Sequence, residues 1–327
     1  MTTYIRLTSR RDYFFDTNMI HTIPYKIGRA LLDLPHSMRK TPSPRIIMTL
    51  LVKNEEDMLA QNLEFHHAMG VSHFIITDNN STDHTPDIIR RYQAKGWVLE
   101  CIEERATDYD QKTWVDRMIE LARSKYHADW IINADADEFW YPNEGTFQTL
   151  LGSKRATVFE GQVHNVYPEE GKPWQEWNLL VRQVHDLEAY NLSPYSIFSR
   201  HRNKMMHRSR GYIQIAMGNH RVKMFPYIKN DTAITIFHFN VRGREQFMSK
   251  MINGGQQLEQ HKGRHGGRHW RYYYDIYKKG RLSEEYDRVI GVDVRDRLKR
   301  EGYLFEDNRL RDFFASKATE AAERKGL

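Results

Sequence analysis

The chain has 327 residues, 40% of them apolar and 28% charged, and 49 Lys/Arg against 43 Asp/Glu give a net charge of +6. That length supports one large domain or two small ones with a core of their own, and the composition excludes collagen-like, coiled-coil and wholly disordered chains. With Cys101 as its single cysteine the chain forms no internal disulfide, and a reducing compartment is the expectation.

Residues 1–44 read as an N-terminal arm. Pro24, Pro35, Pro42 and Pro44 punctuate it, seven Arg/Lys face three Asp/Glu, and one short helix is expected around Ile27–Leu34. The opening MTTYIRLTSRRDYFF has no apolar core of signal-peptide type. The apolar run Ile46–Val52 falls far short of the ~20 residues a membrane helix needs. A cytoplasmic protein is therefore expected.

From Arg45 the pattern becomes regular. IIMTLLV (46–52) predicts a strand buried on both faces, and apolar residues at helical spacing follow from Glu55 to Met69, stopped by Gly70. HFIIT (73–77) predicts a second strand, Thr85-Pro86 opens a helix running to Ala94, and WVLECI (97–102) is a third strand. Gln111–Tyr126 is a third helix and DWIIN (129–133) a fourth strand. This alternation predicts a parallel sheet with right-handed crossovers. Beyond Trp140 it fades: strands are expected in 156–167 and 233–241, helices from Glu245 onward, and a frayed last dozen residues.

Ligands of an open α/β sheet sit beyond the carboxyl ends of its strands. The polar groups there are Lys53-Asn54-Glu55-Glu56, Asp78 to Asp83, and Asp135-Ala136-Asp137-Glu138. Three acidic clusters at one sheet edge repel, so a cation must offset them, either a metal ion or a positive substrate group. Two aspartates one residue apart at a strand end suit Mn²⁺ or Mg²⁺, ions that complete their shells with water and substrate phosphate. Either of two segments is a candidate lid over such a diphosphate. One is the basic run 200–223; the other is 253–270, with five glycines, six His/Lys/Arg, and Lys262, Arg264 and Arg268 as its phosphate contacts. A zinc face of His261, His265 and His269 is opposed by the glycines between them. The stretch Trp270 to Tyr274 reads as packing, and one of His66 and His67 as a packed, hydrogen-bonded histidine.

The run VKNEEDMLAQNLEFHHAMGVSHFIITDNNSTDHT, followed by DWIINADADEFW, resembles family-2-like glycosyltransferases of GT-A fold, in the branch with K/R-N-E, D-N-x-S-T-D and D-x-D-E-F motifs. The likeness covers residues 45–141 and continues weakly in GNHRV (218–222) and FHFNVRGREQFMSKM (237–251). It implies a GT-A-like, Rossmann-type mixed sheet flanked by helices with a mainly helical C-terminal extension. The implied divisions are a 1–44 arm, a catalytic domain 45–252 with nucleotide half 45–141 and acceptor half 142–252, and a basic extension 253–327. The implied activity is metal-dependent transfer of a sugar from a nucleotide sugar, UDP-sugar favoured, to a glycan or lipid-linked acceptor. Asp78 would contact nucleobase or ribose, and Lys53, Asn54 and Glu55 would line the pocket. Asp83 would lie near it or hold its turn, and Asp135 and Asp137 would approach ribose, metal and diphosphate. His238, or alternatively His220, would complete the metal shell.

An inverting transferase needs a carboxylate base. The familiar Glu-Asp pair is missing from residues 150–240, which leaves Asp186 and Glu188, or Glu169 and Glu170, as candidates. Rival readings are a nucleotidyltransferase, opposed by the absence of glycine in LLVKNEED, and a non-catalytic nucleotide- or nucleic-acid-binding protein, opposed by the acidic strand ends. Nucleic acid is not an expected partner. The basic arm and C-terminal third suit peripheral contact with an anionic membrane.

Overall fold

The computed structural model describes residues 22–36, 38, 39, 41–106, 111–260 and 267–325. They divide into two compact units, one of Met1–Val163 with Arg202–Ile236, the other of His164–His201 with Phe237–Leu327. The divisions interleave along the chain because 164–201 leaves the first unit and 202–236 returns to it.

The first unit opens with helix α1 (Ile23–Leu32), four residues earlier than the sequence suggests because Pro24 takes a first-turn position. Strand β1 (Ile46–Val52) leads to α2 (Leu59–Ala68), β2 (His73–Asp78), α3 (Thr85–Ala94), β3 (Val98–Glu103), α4 (Gln111–Ser124) and β4 (Trp130–Ala134). β1 pairs in parallel with both β2 and β4, and β2 with β3, so the carboxyl ends of all four lie at one edge. Such central strands need apolar groups on both faces, and β4 is buried at every position. β5 (Glu138–Pro142), α5 (Phe147–Ser153) and β6 (Val158–Asn165) follow. The eight-stranded sheet runs β3-β2-β1-β4-β8-β6-β11-β5, with β8 antiparallel to β4 and to β6. Its core includes Ile47, Ile75, Met118, Ile131 and Val158. Its parallel half is what the alternation predicts, and the whole is the Rossmann-type mixed sheet flanked by helices that the resemblance implies.

β7 (Leu179–Val181) belongs to the second unit. The basic run 200–223 is not a lid. It forms β8 (Lys204–Arg208) inside the large sheet and β9 (Tyr212–Ile215), which pairs with β10 (Val222–Met224) in a two-stranded sheet. β11 (Lys229–His238) follows, its residues through Ile236 belonging to the first unit.

The second unit is mainly helical: α6 (Arg244–Gln260), α7 (Arg268–Lys278), α8 (Leu282–Ile290) and α9 (Val292–Arg300). β12 (Leu304–Glu306) pairs with β7, and α10 (Arg309–Lys325) follows. The expected C-terminal fraying is overturned, since α10 is regular through Lys325.

Both ends of the segment expected as a lid, 253–270, are helical. Residues 253–260 are the end of α6, and Arg268 is the first residue of α7. Lys262, Arg264, His261 and His265 lie outside the described residues. Gly254 and Gly255 serve packing: a Cβ on Gly254 would meet the Trp270 ring at 2.6 Å, and one on Gly255 would collide with Tyr274. The glycines let α7 approach α6, and the aromatic run packs as expected. Tyr273 is buried, edge-on to Phe247 at 5.2 Å.

Gly255→Val should therefore cost roughly 1–3 kcal/mol through overpacking, read as a lowered urea midpoint. An unchanged midpoint would show that α6 and α7 do not pack in this way.

Candidate functional site

The carboxyl ends of β1 and β2 are joined by side-chain-to-backbone bonds. Asn54, in the left-handed region at φ 54°, accepts from Thr82 N at 2.8 Å, and its own N–H donates to Ser81 Oγ at 2.9 Å. Glu55 N donates to Thr85 Oγ1 at 2.8 Å. Asp83 accepts from Glu56 N at 3.1 Å and Thr85 N at 2.9 Å, while Glu56 accepts from His84 N at 2.8 Å. Asn54 and Asp83 thus hold the two turns together, and Asp83 is an Asx-type brace for the start of α3.

Asp78, at the end of β2, is buried, and its Oδ1 accepts from Ser81 Oγ at 2.5 Å. Burial raises its carboxyl above the usual range, against the bonds from Ser81 and with the push of Asp83 and Glu103. Lys53, one residue past the strand partner of Asp78, is exposed, and Glu55 is half-buried.

At the end of β4 the DADEF loop is clamped from α2. Asn62 Nδ2 donates to Ala136 O at 2.9 Å and Glu138 O at 2.8 Å. Trp140 N donates to His66 Nε2 at 3.0 Å, so the His66 proton sits on Nδ1, which donates to Asn62 O at 2.9 Å. This is the packed histidine the sequence suggests. Full burial pushes its pKa down from 6.5 to about 3.

Lys204 supplies a cation to the last of the three acidic strand ends. Continuing the β4–β8 register, in which Ile132 faces Met206, sets it level with Ala134. Its ammonium lies 2.8 Å from Asp135 Oδ2 and bonds Glu138, which is wholly buried. Burial alone would lower the Lys204 pKa, but Asp135 and Glu138 outweigh it and raise it. Burial raises Glu138, with Lys204 pulling against it. The Asp135 side chain remains 43% exposed, whereas Asp137 is buried. Asp135, Lys204, Asn133, Thr49 and the 215–219 segment line a small cleft open to solvent.

His220 lies in this same unit. Its Nδ1 meets Asn203 O at 3.1 Å, and burial lowers its pKa, with the charges of Lys204 and Asp135 acting on it. His238 falls in the second unit, where its Nδ1 bonds Asn165 Oδ1 at 2.9 Å. Among the described residues, no group of three or more His, Cys, Asp or Glu is placed to hold a metal ion.

The carboxylates considered as bases are occupied or exposed in the second unit. Asp186 caps its own turn, accepting from Ala189 N at 3.0 Å, and Glu188 is exposed. Glu169 pairs with Lys172 at 2.8 Å, and Glu170 accepts from Tyr286 at 3.1 Å. Sequence reasoning missed Lys204 and Asn62. Lys204 was submerged in a basic run, and Asn62 carried only helical spacing.

Acidic and cationic side chains gathered at the carboxyl ends of parallel strands, beside a cleft, define an α/β protein of the kind that binds its ligand at the sheet edge. The model of glycosyltransferase family 92 matches residues 48–262, and the chain belongs to that family. The expected glycosyltransferase class is thus shown, and the family is 92. Comparison with curated proteins gives no match. Among solved structures, TarS 1–349 of S. aureus in complex with UDP is similar at 15% identity over 50% of this chain and 47% of that one, with a TM-score of 0.33. A second structure of S. aureus TarS 1–349 is 11% identical over 78% of this chain and 74% of that one, TM-score 0.35. HddC from Yersinia pseudotuberculosis is 9% identical over 63% and 97%, TM-score 0.33. This chain spans less than half of the UDP-bound TarS chain, and likenesses this loose place no residue.

The His66 arrangement sets a pH dependence. The native ring stays neutral down to about pH 3, whereas the unfolded ring takes up a proton below its ordinary 6.5. Its contribution is full above 6.5 and is lost as pH falls toward 3. Urea unfolding should show this loss between pH 6.5 and 4. In His66→Gln that part of the slope should vanish, and a slope identical to wild type would refute the assignment.

Proposed function

We propose that this chain transfers a sugar from a nucleotide sugar, a UDP-sugar in first choice, to a glycan or lipid-linked acceptor. The observation that carries the reading is the cleft at the β4 carboxyl end, lined by Asp135 and Lys204, in a member of glycosyltransferase family 92. In this reading Asp78 and the Lys53–Glu55 turn receive the nucleoside. Asp135 meets the ribose and, with Asp137, the cation, while Asn62 and His66 fix the loop that carries both aspartates.

The donor chemistry fits a divalent ion. Asp135 and Asp137 offer hard carboxylate oxygens, and the partial exposure of Asp135 leaves it accessible from the cleft. Mn²⁺ or Mg²⁺, when bound, neutralises charge developing on the departing diphosphate. Lys204 orients Asp135 and adds positive potential on the same wall. Of the two histidines expected as a third ligand, His220 shares the unit of Asp135 and Asp137 and is the one retained. Peripheral contact with an anionic membrane is part of the proposal, motivated by the basic arm and suited to a lipid-linked acceptor.

Two measurements test this reading. Calorimetric titration with UDP, GDP and CMP should show one preferred nucleotide, bound more tightly with Mn²⁺ than with chelator. Asp137→Ala should remove the Mn²⁺ effect and at least about a hundredfold of nucleotide-sugar turnover, the scale of losing one electrostatic stabiliser, with the thermal transition retained. Full turnover in that variant would sink the metal assignment.

Lys204→Met should lower both nucleotide affinity and stability, the latter by about 3–5 kcal/mol, because it strands the buried Glu138. Lys204→Met/Glu138→Gln should recover most of the stability and little of the affinity. Recovery of both would make Lys204 purely structural.

A further inference from the structure

Helix α1 is amphipathic in the reverse sense. Its charges face the first unit. Lys26 Nζ lies 2.5 Å from Asp116 and 3.4 Å from Glu120, Arg29 grips Glu120 at 2.7 and 3.0 Å, and Asp33, just past the end, accepts from Arg123 at 2.8 Å. Lys26 and Ala30 are buried. Ile23, Tyr25, Ile27, Leu31, Leu32 and Leu34 are 48, 42, 44, 56, 81 and 42% exposed. Lys26, Arg29 and Asp33 are the charged residues of 22–35, and all three are engaged inward, so the outward face is wholly uncharged. A surface helix ordinarily turns its apolar stripe to the core and its charges to water.

The apolar surface continues past the helix end. Gly211 N donates to Asp33 at 3.1 Å, and Gly211 O accepts from Phe225 N at 2.9 Å, which brings in Phe225, 45% exposed. Cations stand at this border: Arg210 precedes Gly211 and is exposed, and so is Arg39, whose carbonyl accepts from Arg208 at 2.9 Å.

We propose that this face is where the protein lies on an anionic lipid bilayer, with α1 in the interfacial plane, its apolar side chains among the acyl chains and Arg39 and Arg210 at the headgroups. The proposal rests on the peripheral membrane contact put forward above and assigns it a surface. Two features favour lipid. Basic residues rim an uncharged apolar face, which complements an anionic interface. One ten-residue helix also presents only on the order of a few hundred Å², below the roughly 800 Å² per partner of a stable protein interface.

The test is co-sedimentation of the full chain with vesicles of phosphatidylcholine containing roughly one third phosphatidylglycerol, the anionic component, against phosphatidylcholine alone. Wild type should bind the anionic vesicles, less so at high salt. Leu31→Ser/Leu32→Ser should weaken binding about tenfold or more with an unchanged thermal transition and unchanged UDP affinity. Arg39→Glu/Arg210→Glu should remove the preference for anionic lipid. Failure of wild type to bind, or equal binding by the leucine variant, overturns the proposal. So does a wild-type dimer, seen by sedimentation velocity, that the leucine variant dissociates, because the face would then belong to a second copy. Since UDP affinity is measured in the same samples, loss of the membrane surface is distinguishable from loss of the transferase reading.

Discussion

The ion pairs of Lys204 are the constraint on which the sheet edge depends. Asp135, Asp137 and Glu138 are confined to four consecutive positions, and Glu138 has no access to water. A buried carboxylate costs on the order of several kcal/mol in lost solvation, and only a well-placed counter-charge offsets it. The ammonium of Lys204 bonds Asp135 and Glu138 together. That contact ties β8 to the end of β4, so the antiparallel continuation of the sheet and the shape of the cleft wall share one interaction. It also separates the aspartates by environment: Asp135 is drawn to the cleft and Asp137 is buried.

The turns beyond β1 and β2 brace one another. Asn54, Asp83, Glu56 and Ser81 spend their polar atoms on one another's backbone. A turn braced in this way loses little entropy when a ligand arrives, which is how preorganisation raises affinity without new contacts. Asn54, Asp83 and Glu56, which a motif marks for binding, are thus supports of these turns. The Asn62–His66 clamp does the same for the DADEF loop from the opposite side.

The parallel half of the sheet was legible in the sequence because strands buried on both faces must be continuous apolar runs ended by polar turns. β1 is found at Ile46–Val52 and α3 at Thr85–Ala94, as read from the pattern. The position of Asp135 and Asp137 at the end of β4 was legible for the same reason. What local pattern does not carry is the partner of a buried charge. The need for a cation could be deduced from three acidic clusters, but not that it would come from a lysine 69 residues downstream of Asp135. The glycines of α6 misled by the same limitation. Gly254 and Gly255 signal flexibility in isolation, and only the approach of Trp270 and Tyr274 shows that small size was required.

Charge counting fails here for a related reason. The run 200–223 is rich in cations, yet its members do unrelated work. Lys204 neutralises the strand-end acids, and Arg208 lies over the Trp130 ring at 4.9 Å while bonding the carbonyls of Ala156 and Arg39. Lys223 is exposed between buried Val222 and Met224, as strand alternation requires. In the arm, Lys26 and Arg29 are likewise consumed by Asp116 and Glu120. The net charge of +6 is therefore not a field spread over the molecule. What a cation outside the internal pairs can do depends on what surrounds it. Beside an acid in a cleft a lysine tunes a site; beside an uncharged apolar helix face an arginine marks an edge.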